Sequence, residues 1–158
     1  PARRAAGRTR DWLSTPHTRE LAARAALPQR GLEARFRRRH GPVSRDEAYA
    51  VLWIGLNPVE ATTAGTPRQS ARGTRVGRHF FERAFLARIY GKGDKPEKVW
   101  TRKTFGKGSQ RFPVVKMTIP IDEHMEELLP RYEPAAAKMF SERLAHEVDF
   151  LLSREGAT

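Results

Sequence analysis

Residues suited to binding phosphate and stacking on bases dominate one stretch of this chain, from Arg68 to Lys116. The stretch holds 14 Lys and Arg against three acids, and the whole chain has a net charge of +12. Cations neutralise phosphates and release their counterions, while rings and guanidinium planes stack on unpaired bases. The pattern therefore predicts a polyanionic partner, in the first place RNA. The rings threaded among the cations are Phe80, Phe81, Phe85, Tyr90, Trp100, Phe105 and Phe112.

Four basic segments supply the candidate phosphate contacts. In Gly73–Arg78 the glycines would let main-chain N–H groups approach a phosphate backbone, and a helix beginning there would favour anions. The glycine-rich turn at 106–109 is expected to place a basic tip in a groove of folded RNA. The predicted RNA-binding residues are Arg3, Arg4, Arg8, Arg10, Arg37, Arg38, Arg39, Arg68, Arg72, Arg75, Arg78, Lys92, Lys95, Arg102, Lys103, Lys107 and Arg111.

The sequence lacks a catalytic pattern, so we expect no enzyme, no metal and no cofactor. Cysteine is absent, which removes thiolate chemistry and disulfides. His146-Glu147 lacks the second histidine of a zinc helix, and Gly106-Lys107 lacks the spacing of a phosphate-binding Walker loop. The remaining alternative is a metal-dependent nuclease, but no Asp/Glu-x-Lys strand pattern accompanies its candidate carboxylates. Those candidates are Glu60, Glu82 and Asp94.

Residues 1–43 are predicted to form a basic arm with short helices. Residues 1–40 contain 11 Arg, no Lys and three acids. Residues 1–10 have no apolar period and are expected to be disordered without a partner. Thr15-Pro16 predicts the start of a short helix that ends near Leu27. Arg-rich, acid-poor N-termini are typical of organelle-targeting segments, so the predicted location is mitochondrial, although a basic arm of the mature protein explains the same residues.

Residues 44–158 are predicted to form one small domain of the α+β class, mainly helical, with an extended N-terminal arm and a long loop outside its core. A capping box predicts a buried helix from Ser44 to Leu56. Residues 59–77 are expected to form a long irregular loop, and Arg78–Tyr90 an amphipathic helix. Alternating apolar residues around the turn at 106–109 predict one basic hairpin, with Pro113 on an edge strand. The basic loop and hairpin together cover residues 66–119.

The charge reverses after Pro120, because residues 122–158 hold nine acids and four bases. This acidic part, residues 121–156, contains a helix predicted from Pro134 to Arg154 with an apolar stripe of helical period. The stripe either caps the core or docks on a neighbouring protein. No apolar run is long enough to cross a bilayer. The predicted partner contacts are Phe140, Leu144, Val148 and Leu151.

Small, cysteine-free, Arg-rich chains with basic arms and no catalytic constellation resemble ribosomal proteins. The leading prediction is therefore a structural component of a ribonucleoprotein, specifically a lineage-specific mitochondrial ribosomal protein that binds rRNA phosphates and packs on neighbouring proteins. One alternative is a DNA-binding nucleoid or regulatory protein that uses the predicted helices Arg45–Leu56 and Arg78–Tyr90 for recognition. Another is a scaffold subunit of a membrane-associated complex, with the basic arm on anionic lipid.

Overall fold

The computed structural model describes residues 1–40, 49–89, 97–103 and 113–155 and has an α+β fold. Within these ranges, two long helices pack together and ten short strands form four small antiparallel sheets. The helices are α1 (Ala2–Arg24) and α2 (Asp122–Glu155). The strands are β1 (Phe36–His40), β2 (Ala50–Ile54), β3 (Val59–Glu60), β4 (Pro67–Ser70), β5 (Gly73–Val76), β6 (His79–Glu82), β7 (Phe85–Ala87), β8 (Lys98–Arg102), β9 (Val114–Lys116) and β10 (Thr118–Ile119).

Helix α1 runs antiparallel to α2. The ion pairs Arg4–Glu147 and Arg24–Glu127 lie twenty residues apart on each helix and in opposite order along the two helices. The buried side of α1 is a row with four-residue spacing, the separation at which helical residues share one face. Most of the row is small or polar, which lets the helix approach its neighbours closely. The row consists of Ala5, Thr9, His17 and Leu21, which are buried, and Leu13, which is half-buried.

The predicted disorder of residues 1–10 is wrong, because α1 begins at Ala2. The buried residues there are Ala5, Thr9 and Arg10, which give no apolar period in the sequence. The Thr9 hydroxyl donates a hydrogen bond of 2.9 Å to the carbonyl of Ala5, so this polar side chain is buried with its donor satisfied. The predicted helix start at Thr15 is also wrong, since Pro16 lies inside α1.

The main core forms where the C-terminal half of α1, the start of α2 and the β3–β10 pair meet. Leu21, Leu32, Ile121, Met125 and Leu128 are fully buried there. Burial of such side chains stabilises the fold by roughly 1.5–3 kcal/mol each. Residues 1–40 thus share a core with the C-terminal helix, and the predicted domain boundary at 43/44 lies outside the described residues. A second cluster joins the sheets through Ala61, Val76, Ala84 and Val99.

Helix α2 begins at Asp122, twelve residues before the predicted start at Pro134. Asp122 and Glu123 occupy its first turn, where negatively charged side chains stabilise a helix. Both Pro130 and Pro134 lie inside the helix, so neither marks its beginning. In the described part of the chain, neither helix has an apolar segment long enough to cross a membrane.

Strand β2 replaces the predicted helix Ser44–Leu56, whose first residues, 44–48, lie outside the described ranges. The strand pairs antiparallel with β1, and Arg37 stands opposite Trp53 and Arg39 opposite Val51. Val51 and Trp53 are exposed, and the residues that alternate with them, Ala50, Leu52 and Ile54, are half-buried. Because both faces of the strand are apolar, its sequence shows no period of two, which is why a buried helix was predicted.

Strands β4, β5 and β6 form an antiparallel meander where the sequence predicted a loop at 59–77 and a helix at 78–90. Both predictions are wrong. Ser70 pairs with Gly73 and Val76 with His79, so two-residue turns join the strands at Ala71-Arg72 and Gly77-Arg78. Gly77 has φ of +57°, which suits the first position of such a turn. Each turn carries an exposed arginine at its tip.

The predicted hairpin is confirmed where the structure describes it. Strand β8 pairs antiparallel with β9, and Trp100 stands opposite Lys116. The turn at 106–109 lies outside the described residues. Strand β9 is an edge strand, as predicted from Pro113, which directly precedes it and accepts a hydrogen bond at its carbonyl from the Lys103 amide. Trp100 is buried with its indole N–H bonded to the carbonyl of Ala87, so it packs in the fold and is not a surface ring.

A candidate nucleic-acid interface

The outer face of the β4–β6 sheet gathers cations around an exposed ring. Arg68, Arg75 and Phe80 form one row across the three strands, because they are direct cross-strand partners. The Arg75 guanidinium carbon lies 5.6 Å from the centroid of Phe80, whose side chain remains 45% exposed. The opposite face holds Thr74 and Val76, both fully buried, and this fixes which side of the sheet meets solvent.

Two other sheets repeat this combination of arginine and ring. In the β1–β2 pair, Arg37 lies 5.5 Å from the ring centroid of Trp53, its direct cross-strand partner, and Trp53 is 43% exposed. In the β7–β9 sheet, Arg102 lies 5.5 Å from the centroid of Phe85. Cation–π contacts of this kind contribute about 0.5–1 kcal/mol at exposed sites. They hold the guanidinium planes in place at the surface.

The arginines of the β4–β6 sheet lack acidic partners. Arg68, Arg72, Arg75, Arg78 and Arg83 are exposed and form no ion pair with any acid of the described ranges. Unneutralised charges held this close repel one another and favour a counter-charge from outside the chain. A phosphate backbone supplies such charges at regular spacing.

The acids of α2, in contrast, neutralise cations of α1. Glu147 is buried, and its carboxylate lies 2.8 Å from Arg8 and 3.5 Å from Arg4. Arg24 pairs with Glu127 at 2.7 Å. The positive charge near the N-terminus is therefore partly compensated inside the fold, whereas that of the sheets is not.

The structure places the predicted RNA-binding residues in four groups. Arg4 and Arg8 pair with Glu147, and Arg38 lies 4.0 Å from Asp11. Arg10 is buried and donates hydrogen bonds to Asp11 and to the carbonyl of Arg39, so its guanidinium does not face the surface. Outside the described residues lie Lys92, Lys95, Lys107 and Arg111. Exposed on the surface are Arg3, Arg37, Arg39, Arg68, Arg72, Arg75, Arg78, Arg102 and Lys103.

Sequence reasoning missed two residues of this surface. The sequence predicts Trp53 inside a buried helix, but its ring lies at the surface against Gly55, where an added Cβ would come within 2.9 Å of the ring. Arg83 was expected on a helix, but it adopts φ of +55° and turns the chain between β6 and β7. Aromatic and β-branched enrichment in residues 49–54 is the signal that would have favoured a strand there.

His17 and Glu20 are titratable groups of α1 with shifted pKa values. Burial lowers the pKa of His17, whose Nδ1 donates a hydrogen bond of 2.7 Å to the Leu13 carbonyl. The hydrogen bond from the Tyr132 hydroxyl lowers the pKa of Glu20, with help from Arg131 and Arg24. In the ranges that the structure describes, no group of three His, Asp or Glu side chains could hold a metal ion.

Acid should destabilise the contact between β3 and the β7–β9 sheet. The hydrogen bond from Lys116 is the main reason that the pKa of Glu60 lies below its ordinary value of 4.5, and Lys98 acts in the same direction. A carboxylate with a depressed pKa contributes stability that is present above its unfolded-state pKa and is lost as the pH falls through its folded-state pKa. We therefore expect the urea midpoint of the wild type to fall below pH 4.5 more steeply than that of Glu60→Gln.

The matched control for this prediction is Glu97→Gln, which removes one carboxylate from an exposed position without an ion pair in the described ranges. The dependence of the urea midpoint on pH should be flatter in Glu60→Gln than in Glu97→Gln. Parallel curves for the two variants would show that the Glu60 ion pairs do not contribute.

No protein-family model, curated protein or solved structure matches this chain. The sequence-based case for a helical DNA-recognition motif is not supported, because the residues described in both proposed helices form strands or turns. Residues 50–54 are β2, and residues 79–82 and 85–87 are β6 and β7.

Proposed function

We propose that this chain is a structural component of a ribonucleoprotein particle and binds folded RNA through the outer faces of its sheets. The observation that supports this most directly is the separation of charge. Exposed arginines without acidic partners lie beside rings on the sheets, while the acids concentrate on α2. Residues 122–155 hold nine acids and four bases, so this helix is poorly suited to phosphate.

RNA is favoured over duplex DNA because of the exposed rings. Trp53 and Phe80 are each more than 40% exposed beside an arginine. Rings and guanidinium planes at a surface suit bases that are not stacked in a duplex, and folded RNA presents such bases in loops, bulges and ends. Fully paired DNA would meet the cations alone and leave the rings unused.

The C-terminal end of α2 is the proposed contact with a neighbouring protein. The residues of the predicted stripe differ in their surroundings. Phe140 lines a cavity of about 430 Å³ together with residues of α1 and β2, whereas Val148 is 38% exposed. Beyond Glu147, the partner of Arg4, α2 extends past the beginning of α1. Leu152, 61% exposed, lies on this extension four residues after Val148 and shares its face of the helix. Phe150, 47% exposed, lies on the other side, with the Arg154 guanidinium carbon 5.9 Å from its ring centroid. An apolar helix surface of this kind suits docking in a groove of another protein.

The proposed particle is the mitochondrial ribosome, because Arg-rich, acid-poor N-terminal regions such as residues 1–40 are typical of organelle-targeting segments. The test is sedimentation of a tagged full-length chain in mitochondrial extract, with and without ribonuclease, followed by cross-linking to RNA. We expect the chain to migrate with ribosomal particles, to leave them after ribonuclease treatment, and to cross-link through residues of the sheets. Migration as a free protein without cross-linked RNA would contradict the proposal.

A further inference from the structure

A cavity on the β4–β6 sheet combines one ring, two arginines and one carboxylate. It has a volume of about 460 Å³ and is lined by Ala71, Arg72, Phe80, Glu82 and Arg83. Phe80 and Glu82 are two residues apart on β6 and therefore point to the same side of the sheet. Arg72 lies on the two-residue turn between β4 and β5. The cavity is thus a concave part of the face that also carries Arg75.

The backbone around this cavity is held in unusual conformations. Arg83 has φ of +55°, in the left-handed region that residues with side chains rarely adopt. Its amide donates a hydrogen bond of 2.9 Å to the carbonyl of Arg72, so this conformation brings the two arginines to one rim. Gly73 directly follows Arg72, and a side chain there would clash with the carbonyl oxygen of Phe81.

Glu82 is the one acid of this cavity, and it forms no ion pair with any cation of the described residues. Its carboxylate is exposed near arginines that could pair with it, and both of its oxygens are available to accept hydrogen bonds from a ligand. An ionised carboxylate only accepts hydrogen bonds, and its two oxygens together match a pair of adjacent donors. A ligand for this cavity should therefore offer negative charge to Arg72 and Arg83 and neighbouring N–H donors to Glu82.

We infer that this cavity binds a single unpaired guanosine of the RNA. The inference rests on the proposed function and names the nucleotide that the sheet selects. The base would stack on Phe80, the flanking phosphates would meet Arg72 and Arg83, and Glu82 would accept from N1–H and the N2 amino group of guanine. Adenine and cytosine present one donor beside an acceptor, and uracil presents one donor between two carbonyls, so none of them matches a carboxylate.

The test measures binding of the full chain to fluorescein-labelled stem-loop RNAs that differ only in one bulged nucleotide. We expect guanosine to bind about tenfold more tightly than adenosine, cytidine or uridine. Inosine, which lacks the N2 amino group, should fall between them. Glu82→Gln should abolish the preference while it leaves the average affinity within about threefold, because an amide offers one acceptor and one donor in place of two acceptors. Glu97→Gln removes the same charge outside the cavity and should keep the preference.

Phe80→Ala provides the second variant. It should weaken binding of the bulged RNAs and leave a fully paired RNA unaffected, whereas Phe150→Ala, an equally exposed ring on α2, should change neither. Salt-sensitive binding without a preference for guanosine, or a preference that survives in Glu82→Gln, would overturn the guanosine site and leave the proposed function intact. Absence of RNA binding by the wild type would overturn both.

Discussion

Replacement of four arginines of the β4–β6 sheet by glutamine should weaken RNA binding by about a thousandfold at 0.1 M salt. Each is exposed without an acidic partner among the described residues, so each is available to one phosphate. Each phosphate contact that is lost also removes almost one unit from the slope of log affinity against log salt, so the slope should become less steep by about 3 to 4. Fluorescence anisotropy with a labelled stem-loop RNA measures both quantities. The replaced residues are Arg68, Arg72, Arg75 and Arg78.

The matched control removes four charges from the acidic helix instead. It should reduce affinity by less than tenfold, because these cations lie on α2, which carries nine acids, and not on the sheets. Equal losses in the two quadruple variants would mean that total charge, and not the sheet surface, determines binding. The control residues are Arg131, Lys138, Arg143 and Arg154, all changed to glutamine.

Gly73→Ala should destabilise the protein by about 3 kcal/mol or more. Gly73 has φ of +153°, a conformation that residues with side chains rarely adopt. An added Cβ would also clash with the carbonyl oxygen of Phe81 and crowd the backbone of Glu82 and Arg83. Since these neighbours are backbone atoms of paired strands, they cannot move aside without breaking the sheet. Urea denaturation followed by circular dichroism measures the loss.

Gly7→Ala is the matched control with the opposite sign. Gly7 lies inside α1, and an added Cβ would meet no atom within 4 Å. Glycine within a helix costs about 1 kcal/mol relative to alanine, so this substitution should raise the unfolding free energy by roughly that amount. A neutral Gly73→Ala variant would contradict the strand pairing of the β4–β6 sheet.

The parts of the fold that could be predicted are those whose apolar residues follow a visible period or a turn motif. The β8–β9 pair was found because valines, threonines and aromatic residues flank a glycine-rich turn, and α2 was found from its apolar stripe. The beginning of α1 was missed because its buried face consists of Ala5 and Thr9, which packing against α2 makes possible. Strand β2 is not predicted because Val51 and Trp53 are apolar yet exposed. The sequence is therefore apolar on both faces of the strand, which is typical of a buried helix.

The candidate site was predicted in composition but not in geometry. The cationic stretch from Arg68 to Arg78 was identified, although as a loop, because no sequence signal shows which arginines share one face of a meander. Which arginines are neutralised inside the fold depends on long-range contacts, since Glu147 lies more than 130 residues from Arg4 and Arg8. Only the packing of α1 on α2 separates these paired arginines from the unpaired ones.

The most direct test of RNA binding by the sheets is the affinity of the wild-type chain for a labelled stem-loop RNA at several salt concentrations. About ten phosphate contacts predict a slope of log affinity against log salt on the order of −7 to −9. The affinity would then fall by several orders of magnitude between roughly 50 and 200 mM salt. An affinity that hardly changes over this interval, or no binding at any salt concentration, would contradict the account.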